Sequence, residues 1–526
     1  MDGELARRAT APASAAHAVP WRRLFGFVAL TFGMFMALLD IQIVASSLNE
    51  IQAGLSASPD EISWVQTAYL MAEVVMIPLS GFLSRALSTR IVFVVSAAGF
   101  TVMSCLCAFA TNIETMIVFR ALQGFIGGAM IPTVFAASIL LFPAGRSAGI
   151  MAVTGLVATA APTLGPTIGG WLTQAFSWHW LFLVNIVPGI AVVVAVLFLI
   201  DIDRPNLALF KGFDWLGLAA MAVFLGGLEY VLEEGPRWDW FADRGIAATA
   251  WISGASALLF FWRVLSYRHP IVDLRTFADR NFSFGCIFAF LLGAGLFGAV
   301  YIHPLFLARV RGYNSLQIGE IMFVTGAFQF ASGPLAALLS RRLDLRAMLA
   351  IGFSLFALSF LLNDGLTSEA GFWELFWPQA VRGASTMLCF LPANMLALGT
   401  LPHDRLKNAS GLFNLMRNLG GAIGLAAINT LLADRLALHW TRLVSHLDMA
   451  NPAVQSYVDA VSARMALRLP GDGTQAAYRL IGNLVMREAY VMSFNDCLLL
   501  MAGAVAAGLL FMPFISKPRR LVAEAH

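Results

Sequence analysis

Fourteen stretches of this 526-residue chain are apolar for long enough to cross a bilayer, and that repetition leaves few folds open. A hydrocarbon core of about 30 Å takes about 20 helical residues at about 1.5 Å each. The stretches run over 24–48, 62–84, 91–110, 116–140, 148–172, 179–201, 214–232, 245–265, 282–306, 316–339, 347–363, 372–398, 408–432 and 490–514. In lipid every backbone amide must find its partner within the segment, so each stretch is expected to be a helix and the fold all-α. With 59% hydrophobic and 12% charged residues, a soluble reading fails, because a water-soluble body of this length cannot hide so much apolar side chain. The first stretch is too long for a signal-peptide core of roughly 7–15 residues, and is expected to stay in the membrane.

Lys and Arg placement orients the bundle. Arg22, Arg23, Arg85, Arg90, Arg146, Arg204, Lys211, Arg263, Arg341, Arg342, Arg405, Lys407 and Lys517 all fall on one side, whereas the short loops of the other side hold only Arg237, Arg244, Arg309 and Arg311. Both termini are therefore expected in the cytoplasm. The long polar stretch Ala433 to Glu488 is expected outside as a loop, and within it Asn451 to Leu469 spaces Val454, Val458, Val461, Met465 and Leu469 by three and four. That spacing predicts a short amphipathic helix, which either docks an external partner or caps the bundle.

The chain also repeats itself. The fourth span carries Arg120-Ala-Leu-Gln123-Gly124 ahead of Pro132, and the twelfth carries Gln379-Ala-Val-Arg382-Gly383 ahead of Pro392, with Arg and Gln exchanged. Gly81 to Arg90, with Arg85, follows the second span as Gly333 to Arg346 follows the tenth. The repeats divide the chain into a cytoplasmic lead (1–23), a six-helix half (24–201), a linking pair of helices (202–281), a second six-helix half (282–515, including the outer loop 433–488) and a tail (516–526). Internal repeats of this kind are the architecture of secondary transporters, whose site lies between the halves.

Ionisable side chains inside the spans cost roughly 2.5–3.5 kcal/mol each at mid-membrane, so each needs a partner, a wet cavity or a function. Asp40 and Arg120 lie at similar depth and are expected to pair; the pair either handles a proton or only locks two helices. Glu73 has no Lys or Arg within a turn, and is a second proton site or a neutral carboxyl bonded to a neighbouring helix. Arg382 and Arg417, with Gln123 and Gln379 beside the repeated motif, are expected to face a cavity or to anchor helices. Glu229 and Glu320 lie near helix ends, where snorkelling to the interface accounts for them. His303 reads as a packed, hydrogen-bonded residue. Gly165, Pro166, Gly169 and Gly170 in the fifth span, with Gly420, Gly421 and Gly424 in the thirteenth, permit close approach and bending.

Other chemistry is excluded. The three lysines, Lys211, Lys407 and Lys517, follow Phe, Leu and Ser, so there is no Gly-Lys-Ser/Thr of a phosphate-cradling loop. No nucleotide, metal or other cofactor is expected, and no basic tract points to nucleic acid. The five cysteines lie in apolar runs and read as free, buried thiols.

Two motifs in register resemble a known family. Arg120-Ala-Leu-Gln-Gly-Phe-Ile-Gly-Gly is similar to the helix 4 signature of the major facilitator superfamily, and Gly165-Pro-Thr-Ile-Gly-Gly-Trp-Leu to its antiporter motif. Trp178-His-Trp-Leu-Phe-Leu-Val-Asn185, His269-Pro-Ile-Val-Asp-Leu and Arg417-Asn-Leu-Gly-Gly-Ala-Ile-Gly424 resemble the fourteen-helix drug:proton antiporters, in particular EmrB-type exporters of Gram-negative bacteria. The resemblance covers essentially the whole chain apart from its tails. It implies the major facilitator fold, an inner-membrane location, and export of hydrophobic or amphipathic compounds in exchange for protons. It implies Asp40 and Arg120 as the helix 1 acid and helix 4 base, a periplasmic adaptor of the EmrA type and a TolC-like outer-membrane channel. Gln42 and Ala45 replace the family's Thr and Asn near helix 1, and Arg85 and Ser88 replace the acidic residue and Gly of its loop motif. An exporter dedicated to one metabolite, and a polytopic sensor or enzyme, are the alternatives; no HExxH, GxSxG or acidic metal cluster supports the last.

Overall fold

The computed structural model describes residues 20–142, 144–363, 365–447, 451–466 and 473–516, so the lead up to residue 19, Leu469 and the tail beyond Ser516 lie outside the described residues. The spans are α1 (Trp21–Ala45), α2 (Asp60–Leu87), α3 (Thr89–Ala108), α4 (Ile113–Leu140), α5 (Gly149–Ala175), α6 (Trp180–Leu199), α7 (Trp215–Glu234), α8 (Arg244–Ser266), α9 (Arg280–Arg311), α10 (Leu316–Arg342), α11 (Leu345–Leu361), α12 (Phe372–Leu398), α13 (Leu406–Ser445) and α14 (Gly473–Phe514). All but α11 are both long and apolar enough to cross a bilayer by themselves; α11 is apolar but shorter. Short polar side chains start many of them: Asn112, Asp214, Asp243, Asp279 and Asn314 each accept a hydrogen bond from the backbone amide three residues on, satisfying donors the first turn leaves free.

The packing repeats with an offset of eight helices. In the first half α1 packs on α5 and α6, α4 on α2 and α3, and α3 on α6; in the second, α9 packs on α13 and α14, α12 on α10 and α11, and α11 on α14. The halves meet through α2 against α13 and α5 against α10, two contacts that the same offset exchanges. The extra pair stands apart: α7 lies against α2 and α13, and α8 lies mainly on α7 with few buried residues.

One expectation needs correction. The stretch Ala433 to Glu488 is not an irregular loop: α13 continues unbroken to Ser445, α14 begins at Gly473, and a separate helix spans Pro452–Ala466 between them. Val458 and Val461 are buried where that helix packs on the early turns of α14. The reason is local, since these polar segments keep apolar residues at helical spacing and bury them against one another. The five cysteines are free, four of them buried and Cys105 half-buried.

Candidate functional site

Asp40 is completely buried and held by three side chains. Arg120 Nη1 donates to its Oδ2 at 2.5 Å, and Asn185 Nδ2 and Gln123 Nε2 donate to its Oδ1 at 2.9 and 3.3 Å. Arg120 also donates from Nη1 to Gln123 Oε1 and from Nε to the Val65 carbonyl, and its guanidinium lies 4.2 Å from the Tyr69 ring centre. The network joins α1, α2, α4 and α6. Close approach of α2 and α4 makes it possible: a Cβ on Gly124 would collide with the Tyr69 carbonyl oxygen.

The second half builds a related but chargeless-partner version. Arg382 on α12 donates to Thr325 Oγ1 on α10 at 2.9 Å, and its Nη1 lies 3.0 Å from His303 Nδ1 on α9, a nitrogen that is also 2.9 Å from the Ala299 carbonyl. Thr325 in turn donates to Gln379 Oε1 at 2.6 Å, and Gly383 abuts the Thr325 carbonyl as Gly124 abuts that of Tyr69. His303 thus faces Arg382 from α9 as Asp40 faces Arg120 from α1. His303 can accept from Arg382 only through an unprotonated Nδ1. Arg417 on α13 is buried with no hydrogen-bond partner for any guanidinium nitrogen, and lies 5.7 and 5.8 Å from the ring centres of Phe135 and Phe390.

A cavity of about 660 Å³ lies between the halves. Its wall takes residues from α1, α2, α5, α7, α9, α10 and α13, and it reaches the end of the bundle where Asn49, Glu50, Gln174 and Asn314 lie. Glu73 and Pro166 line it; Asp40, Arg120, Gln123, Gln379, Arg382 and Arg417 do not. Glu73 is buried with Oε1 unpartnered. Glu229 was expected at the interface by snorkelling, and the structure corrects this: it is 5% exposed and lines the cavity, because α7 is seated against α2 and α13. Glu320 is exposed.

Gly165 and Gly169 face α1, against Gln42 and the Ile43 backbone, and Gly170 is buried beside them. Gly81 brings α2 onto the backbone of Lys407 and Asn408, while Arg85 Nε returns to the Gly81 carbonyl and Arg90 Nη1 to that of Ile200. Two residues that sequence reasoning did not single out complete this end. Lys407 pairs with Asp203 and donates to the Ser84 carbonyl at 2.9 Å, and Asp203 accepts from the Thr89 amide at 2.9 Å. Ser410 adds a hydrogen bond to the Pro132 carbonyl at 2.7 Å. The halves are therefore latched at the end opposite the cavity mouth. The one available signal was the scarcity of Lys in the chain.

Residues 30–425 match the Major Facilitator Superfamily family model. The chain is 44% identical over 476 residues to the colistin resistance protein EmrB of Acinetobacter baumannii, covering 90% of this chain and 93% of that protein. It is 29% identical over 498 residues to the multidrug export protein EmrB of Escherichia coli (strain K12), covering 93% and 94%. Among solved structures, the human organic anion transporter MFSD10 superposes with a TM-score of 0.59 at 11% identity, covering 93% of this chain and 99% of that one, which speaks to the fold. With two repeated six-helix units around a central cavity and a family match over most of its length, the chain belongs to the Major Facilitator Superfamily and is a multi-pass inner-membrane transporter of small molecules rather than an enzyme.

Proposed function

We propose that the chain exports amphipathic drugs and toxic compounds across the inner membrane in exchange for protons, as one component of a tripartite system with an EmrA-type periplasmic adaptor and a TolC-like channel. The observation that carries the proposal is the buried Asp40–Arg120 pair. A carboxylate paired with a cation in a dry interior is a two-state element. When Asp40 takes a proton the pair loses its attraction, Arg120 becomes a buried cation without a counter-charge, and that state costs about 3–5 kcal/mol unless the helices rearrange. Arg120 is bonded to α2, and α2 carries Glu73 into the cavity. Protonation and the shape of the cavity are thereby linked through one helix. A potential of about 100 mV supplies about 2.3 kcal/mol for each proton moved inward.

Alternating access then amounts to rocking of the halves, 24–201 against 282–515, with 202–281 carried alongside. Arg22, Arg23, Arg85, Arg90, Arg263 and Lys407 all lie at the latched end, which the charge rule assigns to the cytoplasm. On that orientation the structure is the outward-facing state. Arg382 ties α12 to α9 and α10 in the second half, and Glu73 receives substrate or a second proton.

The test is proton movement in proteoliposomes holding the full chain. Addition of an amphipathic drug on the mouth side is expected to drive proton release in the wild type and not in Asp40→Asn. Equal proton flux in the two proteins removes Asp40 from the coupling step.

A further inference from the structure

The cavity wall carries four carboxyl side chains, Glu50, Glu73, Glu229 and Glu233, and among the described residues that line it there is no Lys, Arg or His. None of the four forms an ion pair in the described structure. Glu73 lines the cavity, is 1% exposed, and has no hydrogen-bond partner for its Oε1. Arg417, on the neighbouring α13, does not line the space and lies against the rings of Phe135 and Phe390. Glu229 and Glu233 are one helical turn apart on α7 and project from one face of it. They come from the linking pair rather than from either six-helix half. Across the cavity α9 presents Phe297 and Tyr301.

Ionising a carboxyl that is buried without a partner is costly, and for Glu73 and Glu229, the two buried members of the four, an arriving cation offsets that cost. A compact, strongly hydrated ion would lose its water to enter an apolar cavity. A large organic cation loses little hydration, fills the space with apolar surface, and finds aromatic faces that attract positive charge. An anion of the same size finds no Lys, Arg or His on the described cavity wall to receive it. We infer that the cavity is a binding site for amphipathic organic cations, with Glu229 and Glu233 of the linking pair as specificity-determining residues that select charge sign. This deepens the proposed export function and rests on it for its biological meaning, although the binding itself needs no proton coupling.

The sign of the charge is isolated by tetraphenylphosphonium and tetraphenylborate, ions of closely similar size and shape and opposite charge. Equilibrium binding of each to the purified full chain in nanodiscs, with no gradient present, is expected to favour the cation by about tenfold or more. The double substitution Glu229→Gln with Glu233→Gln is expected to remove most of that preference, and Asp at both positions to retain it. The Asp variant guards against misreading a folding defect, and Glu233→Gln alone, at a half-buried position, supplies a milder one expected to lower the ratio in the same direction. Equal affinity for the two ions, absence of cation binding, or a preference unchanged in the double Gln variant would each overturn the inference. Failure of the export reading looks different: cation binding persists while drug-driven proton release is missing.

Discussion

Asp203, just beyond α6 in the linking segment, pairs with Lys407 in the first turn of α13 and accepts from the Thr89 amide of the first half, and so joins the two halves at the end away from the cavity mouth. The pair is mostly buried, and each member has a second anchor in the other's surroundings, Lys407 on the Ser84 carbonyl and Asp203 on the Thr89 amide. Removing either charge is expected to weaken the latch by about 1 kcal/mol, a several-fold change in the ratio of the two access states. Cysteine labelling along α13 at the latched end measures it. Asp203→Asn should raise labelling there, and the exchanged pair Asp203→Lys with Lys407→Asp should lower it again.

Arg120→Lys is expected to abolish coupled export. An ammonium keeps the charge but cannot serve Asp40, Gln123 and the Val65 carbonyl together, as the planar guanidinium does. Drug-driven proton release in proteoliposomes decides it, with thermal stability in detergent measured alongside; wild-type flux in a stable Lys variant contradicts the role given to the fork.

Gly124→Val and Gly383→Val place side chains where the Tyr69 and Thr325 carbonyls approach. Each is expected to destabilise by about 1–3 kcal/mol or more, since the obstacle is backbone and cannot swing away. A thermal melt of each purified variant is the check, and the two losses should be similar because the contacts are related by the internal repeat.

Deleting the helix Pro452–Ala466 is expected to leave proton-coupled transport in proteoliposomes intact while abolishing drug resistance in cells that depend on the adaptor. The helix packs on α14 outside the two repeated bundles and lines no part of the cavity. Resistance that survives the deletion while still requiring the adaptor places the docking surface elsewhere.

The fourteen spans and the Asp40–Arg120 pair were legible in the sequence because both rest on contrast: apolar length against the bilayer ruler, and rare charges against an apolar background. Glu229 was misread for the same reason. Its distance from the end of α7 suggested an interfacial carboxylate, but its surroundings are fixed by where α7 docks, a relation between helices distant in the chain. Asp203 and Lys407 sit among other loop charges, so no local pattern marks them. The continuation of α13 was missed because polarity was read as loop, whereas outside the bilayer a polar segment can remain helical when a neighbouring helix covers its apolar stripe.

At 40 residues α13 is about 60 Å long, roughly twice the thickness of the hydrocarbon, and it is continuous from the latch residue region at Leu406 to its far tip at Ser445. Such a rod is a lever arm. A tilt of the second half by about 10° would sweep its tip through about 10 Å, by simple trigonometry on that length. On the proposed rocking cycle, whatever holds the tip feels each turnover as a displacement about two to three times that of the α13 residues at the cavity, and any restraint on the tip loads that cycle mechanically in return.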